Sequence, residues 1–180
     1  MSKLLYSATM SLDGFIAGPG GDMSWLAEPL EGLDVDVDAL MAQIGALLIG
    51  NTTYGGDDPN AGTDKEGAFG GRWSGPSIVL THDPDRPNAD PDTTLVGDFD
   101  EAVVVAKKAA GGKYVNILGA DVARQCIEAG ELDEVLVFIA PILLGDGTRL
   151  FAHEGGTRVR LEPLDRPAAE GPSMWCRVVR

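Results

Sequence analysis

With 180 residues, a formal net charge of −14 and a pI near 4.3, the chain is long enough to bury a core as one domain over 1–180. It is too acidic to seat on a nucleic-acid backbone or an anionic membrane surface. No run approaches the ~18 apolar residues of a membrane span, and the N-terminus lacks the apolar region of a signal peptide, so a cytoplasmic protein is expected. Cys126 and Cys176 fall in a predicted helix and strand, and with only His82 and His153 beside them no zinc constellation can be assembled.

Residues 3–10 read as the first strand, which Ser11-Leu-Asp-Gly14 turns into Phe15-Ile-Ala17. Asp-Gly is turn chemistry, the carboxylate bonding nearby backbone while the glycine takes the unusual dihedrals; Asp13 is also a candidate acid. From Asp34, a good N-cap, Val37, Leu40, Met41 and Ile44 make the stripe of an amphipathic helix. Residues 46–50 form an apolar strand. Residues 55–75 hold seven glycines and form a long loop, whose Phe69, Arg72 and Trp73 either close over a substrate or pin the loop down. Strands are expected at 77–81 and 94–96. Asp98-Phe-Asp-Glu101 then opens a helix to Ala110, with Phe99, Val103, Ala106 and Ala110 as its buried stripe.

The stretch that follows organises the chain. Tyr114-Val-Asn-Ile-Leu118 is a buried strand, Gly119-Ala120 leaves no room for a loop, and residues 121–129 form a helix with Val122, Ala123, Cys126 and Ile127 on one face. Such a junction leaves N–H groups free at the positive end of the helix, where a phosphate can be held. Residues 132–140 complete a βαβ unit, and residues 159–165 and 173–179 read as an antiparallel pair at one side of the sheet. Strands alternating with helices make the class α/β.

The segments Ile117-Leu-Gly-Ala120, Ala129-Gly-Glu-Leu-Asp-Glu-Val135 and Ala140-Pro-Ile-Leu-Leu-Gly-Asp-Gly-Thr-Arg-Leu-Phe151 resemble the C-terminal hallmark of the dihydrofolate-reductase-like superfamily. Within it, the resemblance is to the reductase domain of riboflavin biosynthesis and its stand-alone bacterial relatives. It implies a three-layer α/β/α fold with a mostly parallel mixed central sheet and antiparallel C-terminal strands. It also implies a homodimeric reductase that passes a hydride from NADPH, with NADH or a deazaflavin left open, to a pteridine- or pyrimidine-like molecule. A non-catalytic nucleotide- or small-molecule-binding protein on the same fold is the alternative.

By position, the resemblance puts the end of the first strand, at Met10, on the cofactor. It puts Trp25 beside the nicotinamide, the alternative being a half-buried Trp that packs a loop against the sheet, and it puts Asp13, the candidate acid, and Met23 on the substrate side. Gly50-Asn-Thr-Thr-Tyr54 matches the family's Gly-Arg-x-Thr-Tyr, with Asn51 in place of the arginine that pairs with the 2′-phosphate of NADPH. Thr52, Thr53 and Asp57 join that cofactor set. Thr81 and His82 fall on the adenosine side, with Arg86 close enough in sequence to help, and Gly119, Ala120, Asp121 and Val122 fall on the pyrophosphate. Asp34 corresponds to the pterin-binding carboxylate of dihydrofolate reductases, and Ile117 is set against the family's substrate-binding glutamate ahead of the glycine turn. The arginine that the family places shortly after this point has no counterpart behind Asp57-Asp-Pro-Asn60, where Asp64 stands instead, which argues for a substrate less charged than a phosphoribosyl compound.

Overall fold

The computed structural model describes residues 1–26, 35–56, 58, 60–88, 90–166 and 171–180. In chain order its elements are β1 (Leu4–Ser11), β2 (Phe15–Ala17), α1 (Val37–Met41), β3 (Ile44–Gly50), α2 (Asn51–Tyr54), β4 (Ser77–Leu80), β5 (Thr93–Val96), α3 (Phe99–Ala109), β6 (Tyr114–Leu118), α4 (Ala120–Glu128), β7 (Leu132–Ala140), β8 (Thr148–Arg149), β9 (Arg160–Pro163) and β10 (Ser173–Val179). Eight strands form one sheet in the order β5-β4-β3-β6-β1-β7-β10-β9. All pairs from β5 to β7 are parallel, while β10 runs antiparallel to both β7 and β9. This is the mixed α/β sheet with antiparallel C-terminal strands that the sequence implies.

Strand alternation sorts the core into two faces. Leu4 and Tyr6 of β1, Ala46 and Leu48 of β3, and Val115 and Ile117 of β6 meet Ala102, Val103 and Ala106 of α3 and Val122, Ala123 and Cys126 of α4. Leu5, Leu47, Ile49, Leu136 and Phe138 face the other way, under Leu40 of α1 and the loop residues Ala68, Phe69 and Trp73. The aromatic residues of the long loop therefore pack against the sheet. Burying each large aliphatic side chain stabilises the fold by about 1.5–3 kcal/mol.

Local chemistry sets the helix ends. Asp98 accepts a hydrogen bond from the Glu101 N–H at 2.9 Å, and Lys107 and Lys108 lie in the last turn of α3, against the negative end of its dipole. The helix expected from Asp34 is shorter than its stripe suggests. Asp34 lies outside the described residues, Asp36 caps the Ala39 N–H, and Ile44 pairs with Tyr114 as the first residue of β3. Its apolar side chain serves the sheet rather than a fourth helical position.

At the N-terminal end of the parallel strands, a buried carboxylate ties four segments together. Glu134 accepts from Lys3 Nζ, the Tyr114 hydroxyl and Trp175 Nε1, each at 2.8 Å, and Arg166 donates to the Tyr114 hydroxyl at 2.9 Å. Among the described residues, no helix is long and apolar enough to cross a membrane.

Candidate functional site

At the C-terminal edge of the sheet the strands end at different heights. β6 stops at Leu118, with Tyr6↔Ile117 and Ile49↔Leu118 as its last pairs, whereas β1 runs on to Ser11 beside β7 alone. The result is a notch beside the free edge of β1. Ser7, Ala8, Thr9 and Met10 are half-buried there, although β1 is an interior strand. Ala8 and Met10 face the α3/α4 side, and Ser7 and Thr9 face the opposite side. Val115 N–H donates to the Lys3 carbonyl. Parallel alternation therefore turns the backbone groups of Leu5, Ser7 and Thr9 toward β6, and past Leu118 no strand among the described residues receives those of Thr9.

The glycine turn closes one side of the notch. Gly119 has φ 111, a conformation that side-chain-bearing residues rarely adopt, and it opens α4 with no side-chain cap. Among the described residues, the first N–H groups of that helix are thus left free at its positive end. Thr53 of α2 stands against the turn: a Cβ on Gly119 would lie 2.6 Å from Thr53 Oγ1, and one on Gly50 would lie 3.2 Å from Val122 Cγ2. Gly50, Thr53, Gly119 and Val122, drawn from two separate motifs, therefore converge. Ala120 lies in the first turn of α4, and Asn51 and Thr52 are exposed on α2. Thr81 is buried just past the end of β4, whose Leu80 pairs with Gly50, and His82 is exposed beside it.

Asp121 does not leave an unpaired negative charge at this helix end. Its carboxylate is held below its ordinary range chiefly by the Arg124 hydrogen bond at 2.6 Å, with further help from Gln125, against a smaller desolvation effect. A cleft of about 520 Å³ opens between the first turn of α4, residues 145–149 and Phe15, with Arg124 and Arg149 on its walls. Arg149 lies 4.5 Å above the Phe15 ring. Neither arginine was singled out from the sequence. Arg149 lies within the Gly-x-Gly-x-x-Leu-Phe motif itself, which is where the signal was.

That motif and Ser11-Leu-Asp-Gly14 form one corner. Asp13 accepts from Ser11 Oγ at 2.6 Å, Leu144 N–H at 3.1 Å and Gly145 N–H at 2.7 Å. Gly147 packs so closely on the backbone of Ala17 and Gly18 that a Cβ has no space there, and β8 then pairs with β2. The hydrogen bond from Ser11, followed by those from the Gly145 and Leu144 N–H groups, brings the Asp13 carboxyl down to about 2. This geometry fits the turn-holding role of an Asp-Gly pair.

Met23 and Trp25 lie on and beside the short 3-10 turn Ser24–Leu26, and no hydrogen bond among the described residues ties them to the glycine turn. Asp34 and Asp57 lie outside the described residues. Ile117 requires a correction. Its side chain is fully buried on the α3/α4 face, so it does not line the open edge. The residue directly before Gly119 is Leu118, which alternation turns to the opposite face.

The RibD C-terminal domain family matches residues 2–166. The riboflavin biosynthesis protein RibD of Haemophilus influenzae is 28% identical over 177 residues, covering 78% of this chain and 47% of that protein. The chain thus spans about half the length of this curated relative. A solved structure from Shewanella sp. PV-4, provisionally assigned to riboflavin biosynthesis, superposes over 100% of both chains with a TM-score of 0.72 at 22% identity. A dihydrofolate reductase from Enterococcus faecalis, complexed with NADP(H), superposes over 98% of this chain and 94% of its own with a TM-score of 0.55 at 15% identity.

Proposed function

From its membership of the RibD C-terminal domain family, to which this chain belongs, we infer that the protein is an NADPH-dependent reductase acting on a pteridine- or pyrimidine-like heterocycle. The observation that carries this reading is the convergence of Gly50, Thr53, Gly119 and Val122 at an uncapped helix end beside the notch in β1. The residues present fit a dinucleotide. Gly119 leaves a cradle that a Cβ would fill, the free N–H groups of α4 receive a diphosphate, and Arg149 adds positive charge nearby.

The cofactor, when bound, supplies the hydride. The protein does the rest. Thr53 and the first turn of α4 hold the diphosphate. The unreceived backbone groups of Thr9 accept and donate to an amide at the notch, and Met10 packs on the α4 side of β1. Tyr54 presents an exposed ring to the adenosine end, with Arg86 stacked over it at 5.7 Å. The Arg86 cation thus lies over Tyr54, one turn along α2 from Asn51, the position at which the family motif has its own arginine. Ser7 and Thr9 face the other side of the strand, so cofactor and substrate meet across the free edge of β1.

Asp13, ionised at any pH well above about 2, holds the corner between β1 and β8 and does not carry the transferred proton. The test is spectrophotometric. Purified protein should oxidise NADPH in the presence of a dihydropteridine or an aminopyrimidinone from a small panel. Absence of both turnover and saturable NADPH binding would exclude the reading.

A further inference from the structure

Asn116 is wholly buried in the centre of the sheet, between leucines at both register positions, Leu5 on β1 and Leu47 on β3. Its Oδ1 accepts the Ser7 hydroxyl at 2.7 Å, while its Nδ2 has no partner among the described residues. A leucine here would avoid the unmet donor and continue the apolar row, so the amide is poorly explained by stability. Its effect is on Ser7. With the hydroxyl proton committed to Asn116, the Ser7 oxygen presents only lone pairs to the open face of β1, where Ser7 is half-buried at the notch. Thr9, two residues on, shares that face.

We propose that Ser7 is a substrate-contacting acceptor and Asn116 its positioning residue, so that the site selects heterocycles offering a ring N–H or amino group toward β1. This rests on the reductase reading for the placement of the substrate opposite the cofactor. It goes beyond it in naming the edge that is read. A lactam or amino-substituted ring satisfies Ser7, whereas an N-alkylated ring of the same shape leaves the oxygen unpaired and meets it with a methyl group.

The probes are lumazine and 1,3-dimethyllumazine, titrated by calorimetry into the full chain saturated with NADP⁺, with NADPH titrated separately. Wild type should prefer lumazine by at least about tenfold. Ser7→Ala should bring that ratio close to one, Ser7→Thr should restore most of it, and Asn116→Leu should lower it severalfold while NADPH affinity stays within about twofold. A structural role for Asn116 alone would change the melting temperature and leave the ratio untouched, which overturns the proposal. So would a wild-type ratio near one, or no binding of lumazine at millimolar concentration by protein that binds NADPH. Discrimination by Ser7 without NADPH binding would instead overturn the reductase reading and keep this edge. Should Asn116→Leu fail to fold, the Ser7→Ala and Ser7→Thr pair decides by itself.

Discussion

Thr53 stands against Gly119, so that a Cβ on the glycine would lie 2.6 Å from the threonine Oγ1. The contact joins α2, at the end of β3, to the start of α4, and sets the width of the opening proposed to take a diphosphate. Gly119→Ala meets two obstacles, this contact and the positive φ of 111, and should cost about 1–3 kcal/mol of stability. It should also raise the Kd for NADPH at least about tenfold. Thr53→Ala in the same background relieves only the contact, so the double variant should regain part of the melting temperature and little of the affinity. Full recovery of affinity would mean that the turn does not hold the diphosphate.

The arrangement of Asn51 and Arg86 predicts how NADPH is told from NADH. Asn51→Arg restores the family's cation, and a charge-assisted hydrogen bond to the 2′-phosphate is worth about 1.5–3 kcal/mol, or roughly ten- to a hundredfold in affinity. NADH should be nearly unaffected, and the gain should shrink as salt rises, because Asn51 is exposed. Arg86→Ala should weaken NADPH selectively. Parallel titrations of both nucleotides test this; equal changes in the two would place the 2′-phosphate elsewhere.

Asp13 predicts a pH profile. Its folded value of about 2 lies below the ordinary carboxylate range. The stability it contributes is therefore present above the unfolded value near 4 and is lost as pH falls toward 2. Turnover should show no limb from this group between pH 5 and 8. Asp13→Asn swaps one acceptor for a donor facing the Leu144 or Gly145 N–H, and should lower the melting temperature without moving the pH profile. An acidic limb in that range that Asp13→Asn abolishes would return the residue to proton transfer.

Glu134 predicts a second acid-labile element, far from the site. Burial pushes its carboxyl up, yet the hydrogen bonds from Lys3, Tyr114 and Trp175 outweigh burial and hold it below its ordinary value. A depressed folded value stabilises the protein above the unfolded value near 4.3 and fails as pH falls through the folded one. Glu134→Leu strands Trp175 Nε1 and the proton of the Tyr114 hydroxyl, and should cost about 1–3 kcal/mol at pH 7, measured by urea unfolding. The difference from wild type should narrow toward pH 3.

Much of this was legible in the residues. The βαβ unit from Tyr114 to Ala140 follows from one apolar run, two small residues and a helical stripe, all local signals, and β10 falls at its expected residues. The misses are non-local or short. β8 has two residues, too few to show alternation, and only its pairing with β2, the segment expected after the Ser11–Gly14 turn, makes it a strand. α2 is a single turn, below the length at which periodicity speaks. Ile44 fits a helical stripe and a strand equally well, and pairing with Tyr114 decides between them. Ile117 shows the cost of a one-residue offset in a strand, since it turns a side chain to the other face. Asn116 passes as one residue of a buried strand in the sequence, because its hydrogen-bond partner Ser7 lies 109 residues earlier.

The measurement that bears most directly on the central claim is a crystal structure of the protein grown with NADPH. The diphosphate should lie on the N–H groups of Ala120, Asp121 and Val122 beside Thr53, with the nicotinamide in the notch against Thr9 and Met10. A nucleotide bound away from the Gly119 turn, or a protein that takes up none at millimolar NADPH, would contradict the account.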